Sequence, residues 1–401
     1  MRLRYKAITK DNKIIRGLVD ANETNEAASY LRSKDLVPIT ITQEAKNSIL
    51  NNLPFLGKIK GSDLIIFTRQ LSSMLSSGLT LIRSLEILKE QFTNEAMLEA
   101  TSNIIIDIEE GKTFSSAISK FPDVFSPIYV SIIKSAESSG FLDKALLRLA
   151  DNLEKQEKLK NTIRAALIYP AIVVSLMAVV VFIMMTFVIP QLASLYKGLS
   201  VELPLPTKII ISISGFFVVF WPIIIALVIL SIFLYRRWYK TEAGRLIIDN
   251  LKLKIPIFGN LLKKVILTEL SRTLGVLVGS GNLVVDSLVQ TSDTVGNIHY
   301  KNAIVDVAKK VENGITIGDA MSSYSLFPPL LVQLVKVGEQ TGKLDETLLK
   351  ASEYFEGETN QIVKTLTTAL EPFVMITLGV GVAFLMISII TPIYSLISTI
   401  K

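Results

Sequence analysis

Apolar positions recur at helical spacing along most of this chain and then fuse into three long runs. From residue 62 to 165 short amphipathic stretches alternate with glycine-marked breaks: "SDLIIFTRQLSSMLSSG", "LIRSLEILKEQF", "AMLEATSNIIIDIEEG", "FSSAISKF" and "PIYVSIIKSAESSG". That pattern predicts helices stopped at Gly78, Gly111 and Gly140, packed as an antiparallel bundle. Ser62 or Asp63 is the expected cap of the first, and Thr113, Ser115 and Ser116 are candidates for the fourth. Residues 1–55 differ. "RYKAITKDNKIIRGLVDA" alternates and turns at Asp11-Asn12, "NETNEAASYLRSKDL" reads as a short helix capped by Asn22 or Thr24, and "VPITITQE" as a strand. These make a small α/β unit, followed by a linker.

The three apolar runs are Ala165–Tyr196, Ile209–Tyr235 and Pro372–Ile400, and none contains a charged residue. Each exceeds the roughly 20 residues that cross a bilayer, and the middle one would be about 40 Å long as a helix. The expected spans are 166–190, 208–235 and 372–398, with a short external loop at 191–207. Lys155, Lys158, Lys160 and Arg164 precede the first, and Arg236, Arg237, Lys240 and Arg245 follow the second. Basic flanks stay in the cytoplasm, which places the N-terminus inside and, with an odd number of spans, the C-terminus outside. Pro170, Pro190, Pro222, Pro372 and Pro392 should bend or end the spans, and Gly379 and Gly381 allow close helix contact.

The plan of residues 62–165 returns at 262–371. "TRQLSSMLSSG" matches "SRTLGVLVGSG", pairing Arg69 with Arg272 and Gly78 with Gly281. "IEEGKTFSSAI" matches "VENGITIGDAM", pairing Gly111 with Gly314, and "KSAESSGFLDKALL" matches "KVGEQTGKLDETLL". The last pair sets Glu137, Gly140, Leu142 and Asp143 against Glu339, Gly342, Leu344 and Asp345. Pro170 matches Pro372 and Pro190 matches Pro392, so the duplication runs into the membrane. The fold class is therefore mainly α: two homologous cytoplasmic helical bundles, three transmembrane helices and a small N-terminal α/β unit. Both copies approach the bilayer from the same side, and an axis along the membrane normal can relate them.

Composition removes most chemistry. Half the 401 residues are hydrophobic and the net charge is +6. There is no cysteine, which excludes disulfides, thiolate metal sites and Cys nucleophiles. His299 is the single histidine and reads as an ordinary exposed residue in "GNIHYKN" rather than a member of a catalytic triad. No apolar core of a secretory signal peptide occurs near Met1. No Walker A sequence and no nucleic-acid-reading motif occurs, and one carboxylate per copy is a thin ligand supply for a metal. We therefore expect no catalytic residue, no metal, no cofactor and no nucleic-acid partner. Asp143 and Asp345 are expected as N-caps. Glu137 and Glu339 end a helix, where a carboxylate meets an unfavourable dipole, and this points to an internal or partner contact.

The duplicated "LSSGLTLIRSLE"/"VGSGNLVVDSLV" and "ESSGFLD"/"EQTGKLD", with "YPAIV"/"EPFVM" and three spans, carry a resemblance over the whole chain. It resembles the inner-membrane platform protein of type II secretion and type IV pilus assembly systems (general secretion pathway protein F family). The resemblance implies a multi-pass protein of the bacterial inner membrane that couples a cytoplasmic hexameric ATPase to insertion or extraction of pilin or pseudopilin subunits. Inner-membrane alignment proteins, the lipid bilayer and further copies of the chain would be its other partners. A membrane transporter or channel subunit is the alternative; the absence of ionisable residues in the spans argues against it.

Overall fold

The computed structural model describes residues 2–8, 14–21, 24–34, 36–43, 59, 61–191, 194 and 205–399. At the N-terminus β1 (Arg2–Ile8) pairs antiparallel with both β2 (Ile14–Asp20) and β3 (Val37–Gln43), giving the order β2-β1-β3. Helix α1 (Thr24–Ser33) buries Ala27 and Leu31, one turn apart on one face. Thr24 is the first helical residue rather than its cap. The expected turn at Asp11-Asn12, the cap candidate Asn22, most of the linker and most of the 191–207 loop lie outside the described residues; the last three positions of that loop, 205–207, are already helical.

The first copy comprises α2 (Gly61–Ser76), α3 (Leu81–Gln91), α4 (Glu95–Glu109), α5 (Phe114–Ile118), α6 (Pro127–Ser139) and α7 (Leu142–Ile183). Phe67 and Leu71 of α2, Leu85 and Leu88 of α3, Phe114 and Ile118 of α5, Ile132 and Ile133 of α6 and Leu146 of α7 are all at most 1% exposed. Each such side chain contributes about 1.5–3 kcal/mol by leaving water, an upper estimate. Phe125 bridges Phe67 and Tyr129, and the Tyr129 hydroxyl meets Thr68 Oγ1 at 3.1 Å. Helix α2 begins at Gly61, so Ser62 and Asp63 lie in its first turn and are not its cap.

After α8 (Leu205–Tyr239) and α9 (Glu242–Lys254), the second copy repeats the order as α10 (Phe258–Gly279), α11 (Val284–Thr294), α12 (Ile298–Glu312), α13 (Ile317–Ser322), α14 (Pro329–Thr341) and α15 (Leu344–Thr399). Its core joins Leu270, Leu274, Leu288, Tyr300, Val307, Phe327, Leu331, Val335, Leu348 and Phe355. Helix α9 falls where the sequence offered only a basic flank. Leu253 of α9 belongs to this core, and Asp249 ties it to α12 through the amide of Ile298 at 3.1 Å.

Two helices are long and apolar enough to cross a membrane over their described residues, Leu142–Gln191 and Leu344–Ala383. In each the last bundle helix and the apolar run are one unbroken element. Pro170 and Pro222 lie inside α7 and α8, and α15 runs through Pro372 and Pro392, so none of these prolines ends a helix. In lipid, ending a helix exposes several unpaired main-chain groups, whereas an internal proline frees only one. Pro190 acts differently. Met184–Val188 forms a π turn in which Ile189 N–H reaches back to Met184 O. The next such donor, for Met185 O, would be Pro190, which has no N–H. Ser214 Oγ of α8 donates to that carbonyl instead and is buried. Among the described residues, a Cβ at Gly379 or Gly381 would meet nothing within 4 Å.

Candidate functional site

The repeated phrase forms the same structure in both copies. Helix α6 ends at Gly140 and α14 at Gly342, both left-handed with φ of 77° and 69°. The amide of Phe141 returns to Ala136 O at 3.1 Å, and that of Lys343 to Gly338 O at 2.9 Å. This closes a Schellman turn, a conformation that disfavours any residue with a Cβ. Gly78, Gly111, Gly281 and Gly314 also have positive φ, at the helix stops where the sequence placed them.

The next helices begin two residues earlier than expected. Leu142 opens α7 and Leu344 opens α15, with Phe141 at the cap position of α7 and no side-chain cap bond there. Asp143 and Asp345 therefore sit in the first turn rather than at the cap. There they face the positive end of the helix dipole, a stabilising contribution of about 0.3–1 kcal/mol.

The glutamates have the partner that the sequence left open. Glu137 Oε1 accepts the amide of Phe114 at 2.6 Å, and its Oε2 accepts the amide and hydroxyl of Ser115 at 3.0 and 2.6 Å. Glu339 repeats this on Ile317 at 2.5 Å and Gly318 at 2.8 Å. These amides are the unpaired first-turn donors of α5 and α13, short helices whose caps are Thr113 and Thr316. Thr113 and Thr316 accept the third donor of each, at Ser116 and Asp319. Each carboxylate thus stands at the unfavourable end of its own helix and the favourable end of another. Both of its oxygens are engaged by main-chain donors, which makes it an anchor between two helix ends.

A second duplicated pair joins the first and last helix of each bundle. Arg69 of α2 binds Glu154 of α7 through Nε and Nη2, both at 2.7 Å, and also Asp151 at 2.5 Å. These bonds raise the Arg69 pKa above its ordinary value. Arg272 of α10 binds Glu356 of α15 at 2.5 Å. The two arginines differ in surroundings: 33% of the Arg69 side chain is exposed, against 1% for Arg272. The sequence matched the two arginines but gave no sign of their partners, which lie more than 80 residues away in both copies.

Asp249 is fully buried where the end of α8, α9 and α12 meet. It accepts from Ile298 N at 3.1 Å, Tyr239 OH at 3.0 Å and Lys252 Nζ at 3.0 Å. Burial opposes its charge, but these three donors together hold its carboxyl below the usual range. The junction fixes the end of α8 to α9 and α12. His299 lies beside it, half-buried rather than fully exposed, with Nε2 3.0 Å from Leu246 O. Among the described residues no group of three or more His, Asp and Glu is placed to hold a metal ion.

The comparisons follow the duplication. A family profile described as "Type II secretion system (T2SS), protein F" matches residues 67–190 and again 270–392. It thus ends its two matches on Pro190 and Pro392. The chain is 36% identical to the type IV pilus assembly protein PilC of Thermus thermophilus, over 99% of this chain and 98% of that one. It is 32% identical to the type IV pilus assembly protein TapC of Aeromonas hydrophila, over 98% and 95%. It is 28% identical to the type II secretion system protein F of Xanthomonas campestris pv. campestris, over 99% of both chains. With both copies of the bundle matched and relatives aligned end to end, the chain belongs to the type II secretion system protein F family.

Proposed function

We propose that this protein is the inner-membrane platform of a type IV pilus or type II secretion machine and acts as a mechanical coupler. A cytoplasmic hexameric ATPase docks on the bundles at 62–165 and 262–371. Its strokes are relayed through the membrane helices at 166–190, 208–235 and 372–398 to pilin or pseudopilin subunits, which enter or leave the fibre beside them. The N-terminus and the 1–55 unit lie in the cytoplasm and the C-terminus outside. The chain performs no reaction of its own.

One observation carries this reading. Helices α7 and α15 each run without interruption from a bundle core into an apolar span. A continuous helix transmits a tilt or shift of its buried end, whereas a flexible linker would absorb it. The carboxylate anchors fix α6 and α14, the helices that turn directly into α7 and α15, and the Asp249 junction fixes the end of α8. The relatives, which are named as type IV pilus assembly and type II secretion proteins, support the choice of machine. Deletion of the gene tests it. Assembly of pili or export of the secreted substrate should stop while the ATPase is still made; intact assembly in the deletion strain contradicts the reading.

A further inference from the structure

Helix α9 has a second apolar face besides the one it buries. Ile248 and Leu253 turn into the bundle, while Ile247 and Leu251, one turn apart, face outward at 57% and 61% exposed. The chain then makes a tight corner into α10. Ile257 has φ of 66° and ψ of −59°, and the amide of Phe258 donates to Pro256 O at 2.8 Å, which is a strained γ-turn. A β-branched residue is strongly disfavoured in this region, and among the described residues Ile257 is the one non-glycine with positive φ. The corner is fixed to the end of α9: Gly259 N donates to Ile255 O at 2.7 Å, and a Cβ on Gly259 would collide with Leu253 O. Ile255, Ile257 and Phe258 are nevertheless each at least 42% exposed.

This face lies at the membrane end of the second bundle. Helix α9 starts three residues after α8 ends, and Tyr235 and Trp238 on the last turns of α8 are exposed, as in an interfacial aromatic belt. Gly279 abuts Asp345, and Lys264 pairs with Glu358 at 3.2 Å, so α10 and α15 run antiparallel. Followed back from Lys264, the corner at Ile257 and Phe258 comes level with a point on α15 about 10 Å short of Pro372, where the apolar run begins. The surroundings are basic. Residues 236–264 hold eight Lys or Arg against Glu242 and Asp249, an excess of six that equals the net charge of the whole chain. Lys254 lies on the exposed face itself, between Leu251 and Ile255, and Lys263 is exposed on α10.

We propose that α9 and the 255–258 corner are a membrane-docking face: Ile247, Leu251, Ile255, Ile257 and Phe258 enter the cytoplasmic surface of the bilayer, and the basic residues around them hold anionic lipid headgroups. Large apolar side chains kept rigidly in the open mark a contact surface. A lipid surface is the occupant because the patch continues from the membrane end of α8 and carries the local basic excess that anionic headgroups attract. An apolar stripe rimmed by lysines is the composition of helices that lie in the interface rather than cross it. Docked in this way, the second bundle is held to the bilayer by its own surface as well as by its spans. The inference rests on the reading of α8 and α15 as membrane spans.

The chain has no cysteine, so a single introduced thiol carries a fluorescent label to one place. Leu251→Cys and Ile257→Cys test the face independently, each in the full-length protein reconstituted into vesicles of phosphatidylethanolamine and phosphatidylglycerol. Val228→Cys on α8 is the span reference, and Lys343→Cys at the far end of the second bundle is the aqueous one. Lipids brominated on their acyl chains should quench the labels at 251 and 257 as they quench the label at 228, and leave the one at 343 bright. Brominated phosphatidylglycerol should quench 251 and 257 more than brominated phosphatidylcholine does; equal quenching by the two overturns the headgroup part. Labels at 251 and 257 quenched by aqueous iodide and not by lipid overturn the proposal, because the face then meets water. Labels shielded from both quenchers overturn it as well, because a protein surface then covers the face. A label at 228 that lipid fails to quench contradicts the span reading itself, so the two failures are told apart.

Discussion

Glu137 takes the amide hydrogen of Phe114 at 2.6 Å from 23 residues along the chain, and Glu339 does the same for Ile317 from 22. One side chain closes two loose ends: the carboxylate at the end of a helix and the free amides at the start of another. Charged hydrogen bonds of this kind contribute about 1.5–3 kcal/mol each in net stability.

Glu137→Ala and Glu339→Ala should each destabilise the protein by about 1–3 kcal/mol, since they strand two buried first-turn donors. Thermal unfolding of the purified full chain in detergent measures this. Glu→Asp should recover little, because the shorter side chain does not span both amides. Unchanged unfolding in both alanine variants would mean that water replaces the carboxylate and that the repeated glutamate serves an external partner.

The two matched arginines should differ in cost. Arg272→Ala leaves Glu356 without its partner in a buried setting, a loss of about 3–5 kcal/mol. Arg69→Ala removes an ion pair that water already screens, a loss of about 1 kcal/mol or less. The same unfolding measurement compares them, and equal losses would show that burial does not set the strength of these pairs.

Asp249 predicts a direction with pH. Its folded-state pKa is lowered, so the native state binds its proton less readily than the unfolded chain does. Its stabilising contribution is complete at neutral pH and is lost as pH falls through and below the ordinary carboxylate range. Asp249→Asn should lower stability at pH 7 and flatten the acid side of the stability profile. A variant that keeps the wild-type acid slope would assign that slope to other carboxylates.

Much of the fold was legible because it is written twice. Helix period, glycine stops and the matched prolines each recur, so a single ambiguous stretch is read against its copy. What escaped the sequence is tertiary. Nothing periodic links Glu137 to Ser115, or Arg69 to Glu154, because no local pattern records which helix ends lie side by side. A signal was present for the first: Thr113 and Thr316 hold corresponding places upstream of the two glutamates, marking a short helix in need of a second acceptor. Asp143 and Asp345 lie two positions past the cap position they were expected to fill, since the helix starts on the leucine after the glycine turn and has no side-chain cap bond at Phe141. Helix α9 was hidden by the basic residues around it, which served as topology signals and drew attention from Ile248 and Leu253 on its buried face.

The central claim is that α7 and α15 carry motion because they are unbroken. A Gly-Ser-Gly-Ser insertion after Asn161, between the bundle core and the apolar run of α7, interrupts that path without removing any residue. The account predicts that the full-length variant still inserts and still co-purifies with its ATPase, while fibre assembly or substrate export is abolished. Normal assembly with α7 interrupted would contradict it.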